Sequence, residues 1–499
     1  MLKSVAVAGA AVLLIAAAPP RLDPDTRAWW TITAELSNNA MEGRDTGSAA
    51  YDRAARLVAS RFAAAGLRPA GENGSWFQRV PMHEISVPGA DFHVGKRPLL
   101  FLHDLTVSPT EGMPARVDAP LLYAGYCAPR SLEAARGKIV ICHGTHRAGL
   151  PSAAQREAAT RAAGAMGMLT IADPGFTIEP PRWPYAYART VTLATDPRKA
   201  DPFVRMTLNA DALGKVLVGS GKNAAALIAA GSSGRPLPSF ILPGRFRAHL
   251  TLRGRDIASP NVIALLPGSD PRAANQAIVL SAHLDGYGHG EPVKGDRIYN
   301  GTLDDAAYVA LLIRLAERRH WQPFRRPVLF LVVTGEEKGL LGSNWFAKHP
   351  TVPISGIAAD INLDQLRPIF PLELLTVHAL DDTSLGDDVR AVARGLGIAV
   401  QRDPEPERNL LRRSDNWPLM QAGIPATGFV FGYRPGSRSE QIYRQWYRTG
   451  YHKPQDDLNQ PMDWKAAADF NRFFYKLVER VADQPQAPAW KPGSPLKPK

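Results

Sequence analysis

The stretch 326–333, RPVLFLVV, indicates the fold class of this chain, because Arg325 and Arg326 are followed by an unbroken apolar run at 327–333. A run of this length, rich in β-branched and aromatic residues, is typical of a strand buried on both faces. The stretch 276–282, QAIVLSA, has the same character. Residues 306–318 lie between the two runs and repeat apolar residues at helical spacing. Strand, helix and strand in this order predict an α/β fold.

Two further runs extend this pattern toward the C-terminus. The stretches 357–363, IAADINL, and 426–431, ATGFVF, also predict strands. Helices between them would cover both faces of one sheet. We therefore expect a mixed, largely parallel central sheet flanked by helices. The ends of such strands are where sites are built.

The character of the sequence changes along the chain, whose length allows more than one domain. Residues 23–67 predict helices that are separated by a polar loop at 42–48, and this loop carries the cap of the second helix. Between 92 and 247, short strands alternate with Ala-rich helices, which predicts a smaller inserted α/β domain. The runs 246–252 and 261–268 predict two neighbouring strands joined by a loop.

The N-terminus has the pattern of a secretory signal. Lys3 supplies a positive charge, residues 5–18 are apolar and small, and Pro19 and Pro20 follow. The apolar run is too short to span a bilayer of about 30 Å. We expect a cleavable signal peptide and a periplasmic or secreted mature protein without a stable membrane span; an uncleaved anchor is the alternative.

Charge and cysteine content exclude some classes of function. The formal net charge is +12, from 59 Lys and Arg against 47 Asp and Glu. The basic residues are scattered and form no block interleaved with aromatic residues, so we expect no nucleic-acid partner. Cys127 and Cys142 are too few for a four-thiolate zinc cluster. In an oxidising compartment this pair could be bonded or free.

Acidic and imidazole side chains follow the predicted strands, and together they point to a metal site. In chain order they are His283-Leu284-Asp285, Asp304-Asp305, Glu336-Glu337, Asp364 and His452, each expected at the end of a strand. Zinc accepts both imidazole nitrogen and carboxylate oxygen. One bridging carboxylate can hold two ions roughly 3.5–4 Å apart. Each cluster alone is a weak signal, but their coincidence predicts a zinc pair.

The order of these motifs resembles that of the co-catalytic zinc aminopeptidases of the M28 family of metallopeptidases. The motifs are HLD at 283–285, GTLDD at 301–305, TGEEKGLLGS at 334–343, NLD at 362–364 and YHKPQDD at 451–457. The third motif and the order together are highly specific. The resemblance covers roughly residues 257–483. Residues 92–247 resemble the protease-associated domain that is inserted in many members.

The resemblance implies a ligand set for two zinc ions per chain. His283 and Asp364 would bind one ion, Glu337 and His452 would bind the other, and Asp304 would bridge both. Such a pair lowers the pKa of a bridging water and polarises the scissile carbonyl.

Two further acidic residues receive roles from the same resemblance. Glu336 would be the general base that takes the proton of the water, and Asp285 would orient the His283 ring through its second nitrogen. The implied function is an exported exopeptidase with a peptide substrate, most directly an aminopeptidase. One departure is Asn416 in Ser414-Asp415-Asn416, where the family often carries histidine, and it concerns substrate contacts.

Pattern and resemblance together divide the chain into five segments. They are a signal peptide at 1–18, the N-terminal part of the peptidase domain at 19–91, a protease-associated domain at 92–247, the zinc catalytic domain at 248–483 and a disordered Pro- and Lys-rich tail at 484–499.

Three other functions compete with this interpretation. A carboxypeptidase of the same fold would need a basic cluster for the terminal carboxylate of the substrate, and Arg412-Arg413 could supply it. A catalytically inactive receptor-like or scaffold relative would have lost ligands, and none is lost here. A single-zinc glutaminyl cyclase would not need the paired set. The sequence predicts neither an oligomeric state nor the preferred residue at the cleaved end.

Overall fold

The structure, a computed structural model, describes residues 22–145, 147–174, 182–320, 322–364 and 366–498. The predicted signal peptide at 1–18 lies outside these residues. The helices of the described part are α1 Pro24–Ser37, α2 Ala49–Ala64, α3 Ala153–Ala162, α4 Leu213–Val216, α5 Ala224–Ser232, α6 Ala307–Arg319, α7 Leu341–Lys348, α8 Leu385–Gly395, α9 Asn416–Gln421, α10 Arg438–Thr449 and α11 Trp464–Asp483. None of these helices combines the length and apolar character that crossing a membrane requires.

Most strands belong to one mixed sheet. In chain order the strands are β1 Arg68–Pro69, β2 Phe77–Val94, β3 Arg97–Leu99, β4 Leu105–Ser108, β5 Arg116–Tyr123, β6 Ile139–His143, β7 Gly167–Ile171, β8 Arg189–Leu193, β9 Val204–Leu208, β10 Phe240–Leu266, β11 Ala277–His283, β12 Gly288–Val293, β13 Asp296–Tyr299, β14 Val328–Val333, β15 Ile357–Asn362, β16 Leu374–His378, β17 Ala399–Gln401 and β18 Ala426–Phe431. The main path through the sheet is β17-β16-β18-β15-β11-β14-β10-β5-β6-β7-β9-β4. Parallel pairs join β14, β11, β15 and β18, and also β5, β6, β7 and β9. The predicted α/β fold class is confirmed.

The predicted pair of strands at 246–252 and 261–268 is wrong, because both runs, the second as far as Leu266, belong to the single long strand β10. This strand pairs antiparallel with β2 from Phe246 opposite Val94 to Val262 opposite Phe77. The polar residues 253–256 between the two runs are exposed but remain in the ladder. Their polarity reflects the exposure of this part of β10 to solvent, and does not mark the end of a strand.

Two large apolar cores lie along the sheet. The larger core surrounds β11, β14 and β15, and α1, α2, α6 and α11 pack on it. The second core is built from residues between Val87 and Leu252. Below, residues 92–247 are called the inserted unit, and the rest of the described chain is called the large unit.

The helices predicted within 23–67 are α1 and α2. The Ser48 hydroxyl caps α2 by accepting the Tyr51 N–H at 3.0 Å, so the predicted capping loop is confirmed. The Trp29 indole N–H donates to the Ala307 carbonyl at 2.6 Å. This buried bond ties α1 to the start of α6, the helix that follows the predicted bridging ligand Asp304.

The two cysteines form a disulfide bond within the inserted unit. Cys127 lies after β5 and Cys142 lies in β6, and both are buried. The sequence left a bonded or a free pair open, and the structure shows the bonded form. Bonded cysteines are typical of proteins that fold in an oxidising compartment.

The predicted disorder of the tail at 484–499 is not what the structure shows for residues 484–498. The Trp490 indole N–H donates to the Gly423 carbonyl at 2.8 Å, and Trp490 also pairs with Thr383 in an isolated β-bridge. Trp490 and Leu496 pack against a small apolar cluster that contains Met420. The apolar side chains of Trp490 and Leu496 thus attach a segment whose overall composition is polar. A prediction from average composition does not detect single apolar residues of this kind.

Candidate metal centre

Three predicted ligands lie at the carboxyl ends of adjacent parallel strands. His283 is the last residue of β11, Glu337 follows β14, and Asp364 follows β15. Because β14 and β15 both pair in parallel with β11, their carboxyl ends meet at the same edge of the sheet. The preceding strands are buried and mostly apolar, and the polar residues that follow them collect at this edge.

The other two predicted ligands do not lie at strand ends, which corrects the sequence interpretation. Asp304 lies in the irregular turn 302–306 that leads into α6. His452 comes shortly after α10, with a φ of 51°. Both residues are carried by irregular segments that bring them close to the other predicted ligands. The sequence of such segments has no periodicity that would predict where their side chains lie.

The five residues form two groups that share Asp304. His283, Asp304 and Asp364 make up one group, and Asp304, Glu337 and His452 make up the other; within each group the ligand atoms lie within 4.8 Å of one another. The His283 Nε2 atom is 3.4 Å from Asp304 Oδ1. The His452 Nε2 atom is 3.7 Å from both Asp304 Oδ2 and Glu337 Oε2. The sharing of Asp304 is the arrangement that a bridging carboxylate requires.

Some of the atoms that could bind a metal in these groups lack a hydrogen-bond partner among the described residues. They include His283 Nε2 and Glu337 Oε1, both of them buried. Buried polar atoms are normally paired, and an unpaired one needs an explanation such as an ion. Imidazole nitrogen and carboxylate oxygen are ligands that zinc accepts. The residues therefore fit two zinc ions that share one carboxylate.

The surroundings of Asp304 stabilise its ionised form. Burial alone would raise its pKa, but the buried Arg367 guanidinium, 3.2 Å from Asp304 Oδ2, and the neighbouring His283 ring hold the pKa below its usual range. Asp304 is therefore a carboxylate at neutral pH. A bridging ligand must be in this form.

The pKa values of the two adjacent glutamates, Glu336 and Glu337, are shifted upward. Burial raises the pKa of Glu337 to about 7, although the His452 ring opposes the shift. Burial also raises the pKa of Glu336 well above its usual value, against the charge of His283, and the Asp364 carboxylate adds to this effect. The positive charges of the protein do not fully compensate these carboxylates. A cation bound among them would supply the missing charge.

Asp285 holds the turn that carries both glutamates. Its carboxylate accepts the backbone N–H groups of Glu336 at 3.1 Å and Glu337 at 3.3 Å, and the Thr46 hydroxyl at 2.9 Å. The predicted contact to the His283 ring differs in detail. The Nδ1 atom of that ring is 3.1 Å from the backbone oxygen of Asp285 and 3.8 Å from its carboxylate. The main chain of Asp285 thus faces the ring, while its side chain orders the next loop.

Three residues that support the ligands were missed by sequence reasoning. The Ser414 hydroxyl donates to Asp364 Oδ2 at 2.7 Å, the Tyr287 hydroxyl donates to Glu337 Oε2, and Arg367 pairs with Asp304. Ser414 belongs to a stretch that the family resemblance had marked. Nothing in the local sequence distinguishes Tyr287 or Arg367, because their partners are distant along the chain.

The residues associated with the competing functions have other neighbours. The Arg412 guanidinium lies over the Trp417 ring at 4.8 Å, and both Arg412 and Arg413 are exposed. Asn416 is buried, and its side-chain nitrogen is 3.7 Å from the sulfur of Met420. Asn416 belongs to neither ligand group.

Comparison with known proteins identifies the stretch that contains the site. Residues 261–478 match the model of Peptidase family M28. A "Probable zinc metalloprotease" of Pyrenophora teres f. teres (strain 0-1) is 28% identical over 239 residues, which cover 46% of this chain and 49% of that protein. The "Alkaline phosphatase isozyme conversion protein" of Escherichia coli (strain K12) is 30% identical over 164 residues, which cover 31% and 46%. The chain thus spans about half the length of these curated relatives.

A solved structure shows the same fold over nearly the whole chain. BSAP, a zinc aminopeptidase from Bacillus subtilis, superposes with a TM-score of 0.63 and 17% identity, covering 94% of this chain and 98% of that chain. At this identity the likeness concerns the fold. All five predicted ligands lie within the stretch that the family model matches. Residues 261–478 of this chain are therefore similar to peptidase family M28.

Proposed function

We propose that this chain is a zinc-dependent exopeptidase that releases residues from the amino end of peptides. One observation carries the proposal, namely the two groups of buried ligand atoms that share Asp304. One zinc would be held by His283 and Asp364, the other would be held by Glu337 and His452, and Asp304 would serve both.

The residues around the ligands supply what peptide hydrolysis needs. Two zinc ions in these sites would lower the pKa of a bound water and polarise the scissile carbonyl. Glu336 belongs to neither ligand group, so its carboxylate is available as the general base. It would take the proton of the attacking water and deliver it to the leaving amine. Asp285 would keep Glu336 in place through the backbone N–H that it accepts.

Acetylation of the substrate's α-amine is expected to abolish turnover. A free amine can bind beside the zinc pair and its carboxylates, which would fix the first peptide bond next to Glu336 in a reactive geometry. Acetylation removes both the charge and the lone pair of this amine. Hydrolysis rates of matched free and acetylated peptides, measured together with the zinc content of the same preparation, provide the test.

The matched control is a peptide whose carboxyl end is an amide and whose amine is free. Its turnover should stay close to that of the unmodified peptide. Release of C-terminal residues from an acetylated peptide would contradict attack at the amino end. That outcome would favour a carboxypeptidase and direct attention to Arg412 and Arg413.

Two other classes find less support in the site. An inactive receptor-like or scaffold relative would tolerate the loss of ligands, whereas all five predicted ligands lie together here. A single-zinc cyclase would not need a carboxylate shared by two groups. Metal content near one zinc per chain, together with cyclisation of an N-terminal glutamine, would overturn the proposal.

We further propose that the protein acts outside the cytoplasm and that residues 92–247 are a protease-associated domain. The N-terminal pattern of residues 1–18 supports export, and the bonded Cys127 and Cys142 suit an oxidising compartment. The separate apolar core between Val87 and Leu252 supports the domain assignment. The N-terminal sequence of the mature protein would test the cleavage.

A further inference from the structure

A short turn of the inserted unit reaches the metal centre of the large unit. Tyr187 lies in the 3-10 turn Tyr185–Ala188, and its hydroxyl is 3.0 Å from Nδ1 of His452. The Tyr187 ring stacks on Tyr287, with ring centroids 5.2 Å apart and an angle of 9° between the planes. Tyr287 in turn donates to Glu337. Both predicted ligands of one zinc are therefore in contact with this tyrosine pair.

The two nitrogens of the His452 ring face different partners. The Nε2 atom faces the shared site, where it lies 3.7 Å from Asp304 Oδ2 and from Glu337 Oε2 and 3.3 Å from the Tyr287 hydroxyl. The Nδ1 atom faces Tyr187. A histidine that ligates a metal usually donates its second N–H to an oxygen atom, which fixes the tautomer and the ring orientation. The Tyr187 hydroxyl oxygen is placed to accept this N–H.

Contacts with the large unit fix the residues just before Tyr187. Before it, the Tyr299 hydroxyl donates to the Arg182 carbonyl at 3.0 Å, and Pro184 pairs with Gly290 in a β-bridge. Next to it, the Lys338 ammonium donates to the Ala186 carbonyl at 3.3 Å. Lys338 directly follows the predicted ligand Glu337. The turn is therefore held in register with the metal centre by several independent contacts.

Arg189 adds an ionic anchor directly after the turn. Its guanidinium pairs with Asp45 and, at 2.6 Å, with Glu84, and it donates to the Thr46 carbonyl at 3.1 Å. Thr46 also contacts Asp285, which orders the loop of Glu336 and Glu337. The inserted unit and the metal centre thus meet through neighbouring contacts on both sides of Tyr187.

We propose that Tyr187 of the inserted unit is a positioning residue for His452. Its hydroxyl accepts the Nδ1–H of the ring and thereby keeps Nε2 directed at the site of Glu337 and His452. The inserted unit then contributes to one of the two metal sites and leaves the site of His283 and Asp364 unaffected. This inference rests on the proposed zinc sites and deepens them.

Tyr187→Phe tests this role because phenylalanine keeps the stacked ring and removes only the hydroxyl. The chain is stripped of metal with a chelator and titrated with Zn²⁺ against a chromophoric competitor. We expect the affinity of one zinc site to fall about 10- to 100-fold, the usual cost of losing an outer partner of a metal ligand. The affinity of the other site should stay within the error of the wild-type value.

Tyr185→Phe is the matched control, since Tyr185 lies in the same turn and is 42% exposed. It should leave both zinc affinities unchanged. The thermal midpoint of each stripped variant separates positioning from folding, because a merely structural role of Tyr187 would lower the midpoint and weaken both sites together. Such a joint loss would overturn the inference.

The outcomes also separate this inference from the proposed function. Wild-type protein that binds two zinc ions, together with Tyr187→Phe protein that binds both with unchanged affinity, would refute the role of Tyr187 and leave the zinc pair in place. Wild-type protein that binds fewer than two zinc ions would refute the zinc pair itself.

Discussion

Replacing Glu336 by glutamine is expected to lower kcat about 10²- to 10⁴-fold, the usual cost of removing a general base, while the zinc content stays at the wild-type value. Glutamine has nearly the same size as glutamate but cannot take a proton from water. Glu336 lies in neither ligand group, so the variant should keep its metal. Steady-state hydrolysis of a free-amine peptide and metal analysis of the same sample are the two measurements.

Glu337→Gln is the matched control one residue along the chain. It removes a carboxylate that belongs to the group with Asp304 and His452, so metal should be lost from one site. Activity should fall in this variant as well, but added zinc should restore part of it. Equal loss of metal from both variants would show that the roles of Glu336 and Glu337 are assigned wrongly.

Asp304→Asn is expected to remove both zinc ions, whereas Asp364→Asn should remove one. Asp304 belongs to both ligand groups, and Asp364 belongs to one. The loss at Asp304 is deepened by Arg367, because its buried guanidinium lies 3.2 Å from Asp304 Oδ2 and would be left without this anion. An uncompensated cation at that position opposes the binding of a second cation nearby.

Metal analysis after dialysis against a weak chelator distinguishes the two variants. Wild-type protein should retain about two zinc ions per chain, the Asp364→Asn protein about one, and the Asp304→Asn protein almost none. Strong chelation should abolish the activity of the wild-type protein. An Asp304→Asn protein that retains one tightly bound zinc would contradict the shared site.

The sequence predicted the sheet and the ligands at its edge because both arise from local patterns. The apolar runs that end before His283, Glu337 and Asp364 are long enough to indicate buried strands, and parallel strands bring their carboxyl ends together. The prediction that Asp304 and His452 lie at strand ends was wrong. Their inclusion in the ligand set came from the motif order of the family and not from any periodicity.

The supporting residues could not be predicted because their partners are distant in the chain. Tyr187 and His452 are 265 residues apart in sequence, and no local pattern links them. The long strand β10 was predicted as two strands because its exposed middle is polar. In both cases tertiary contacts determine the structure, and a window of neighbouring residues does not contain them.

The paired ends of the inserted unit also bear on the order in which the chain can fold. Val94 and Phe246, near the two ends of the inserted unit, lie opposite each other in the pairing of β2 with β10. The inserted unit can therefore form its own contacts as soon as residues 92–247 have been synthesised. The helices α1 and α2 are synthesised earlier. The hydrogen-bond partner of Trp29 in α1 is Ala307, however, which follows it by 278 residues. We expect the middle of the protein to form native contacts first. The apolar faces of the earliest helices would then stay exposed to water until the second half of the chain has emerged.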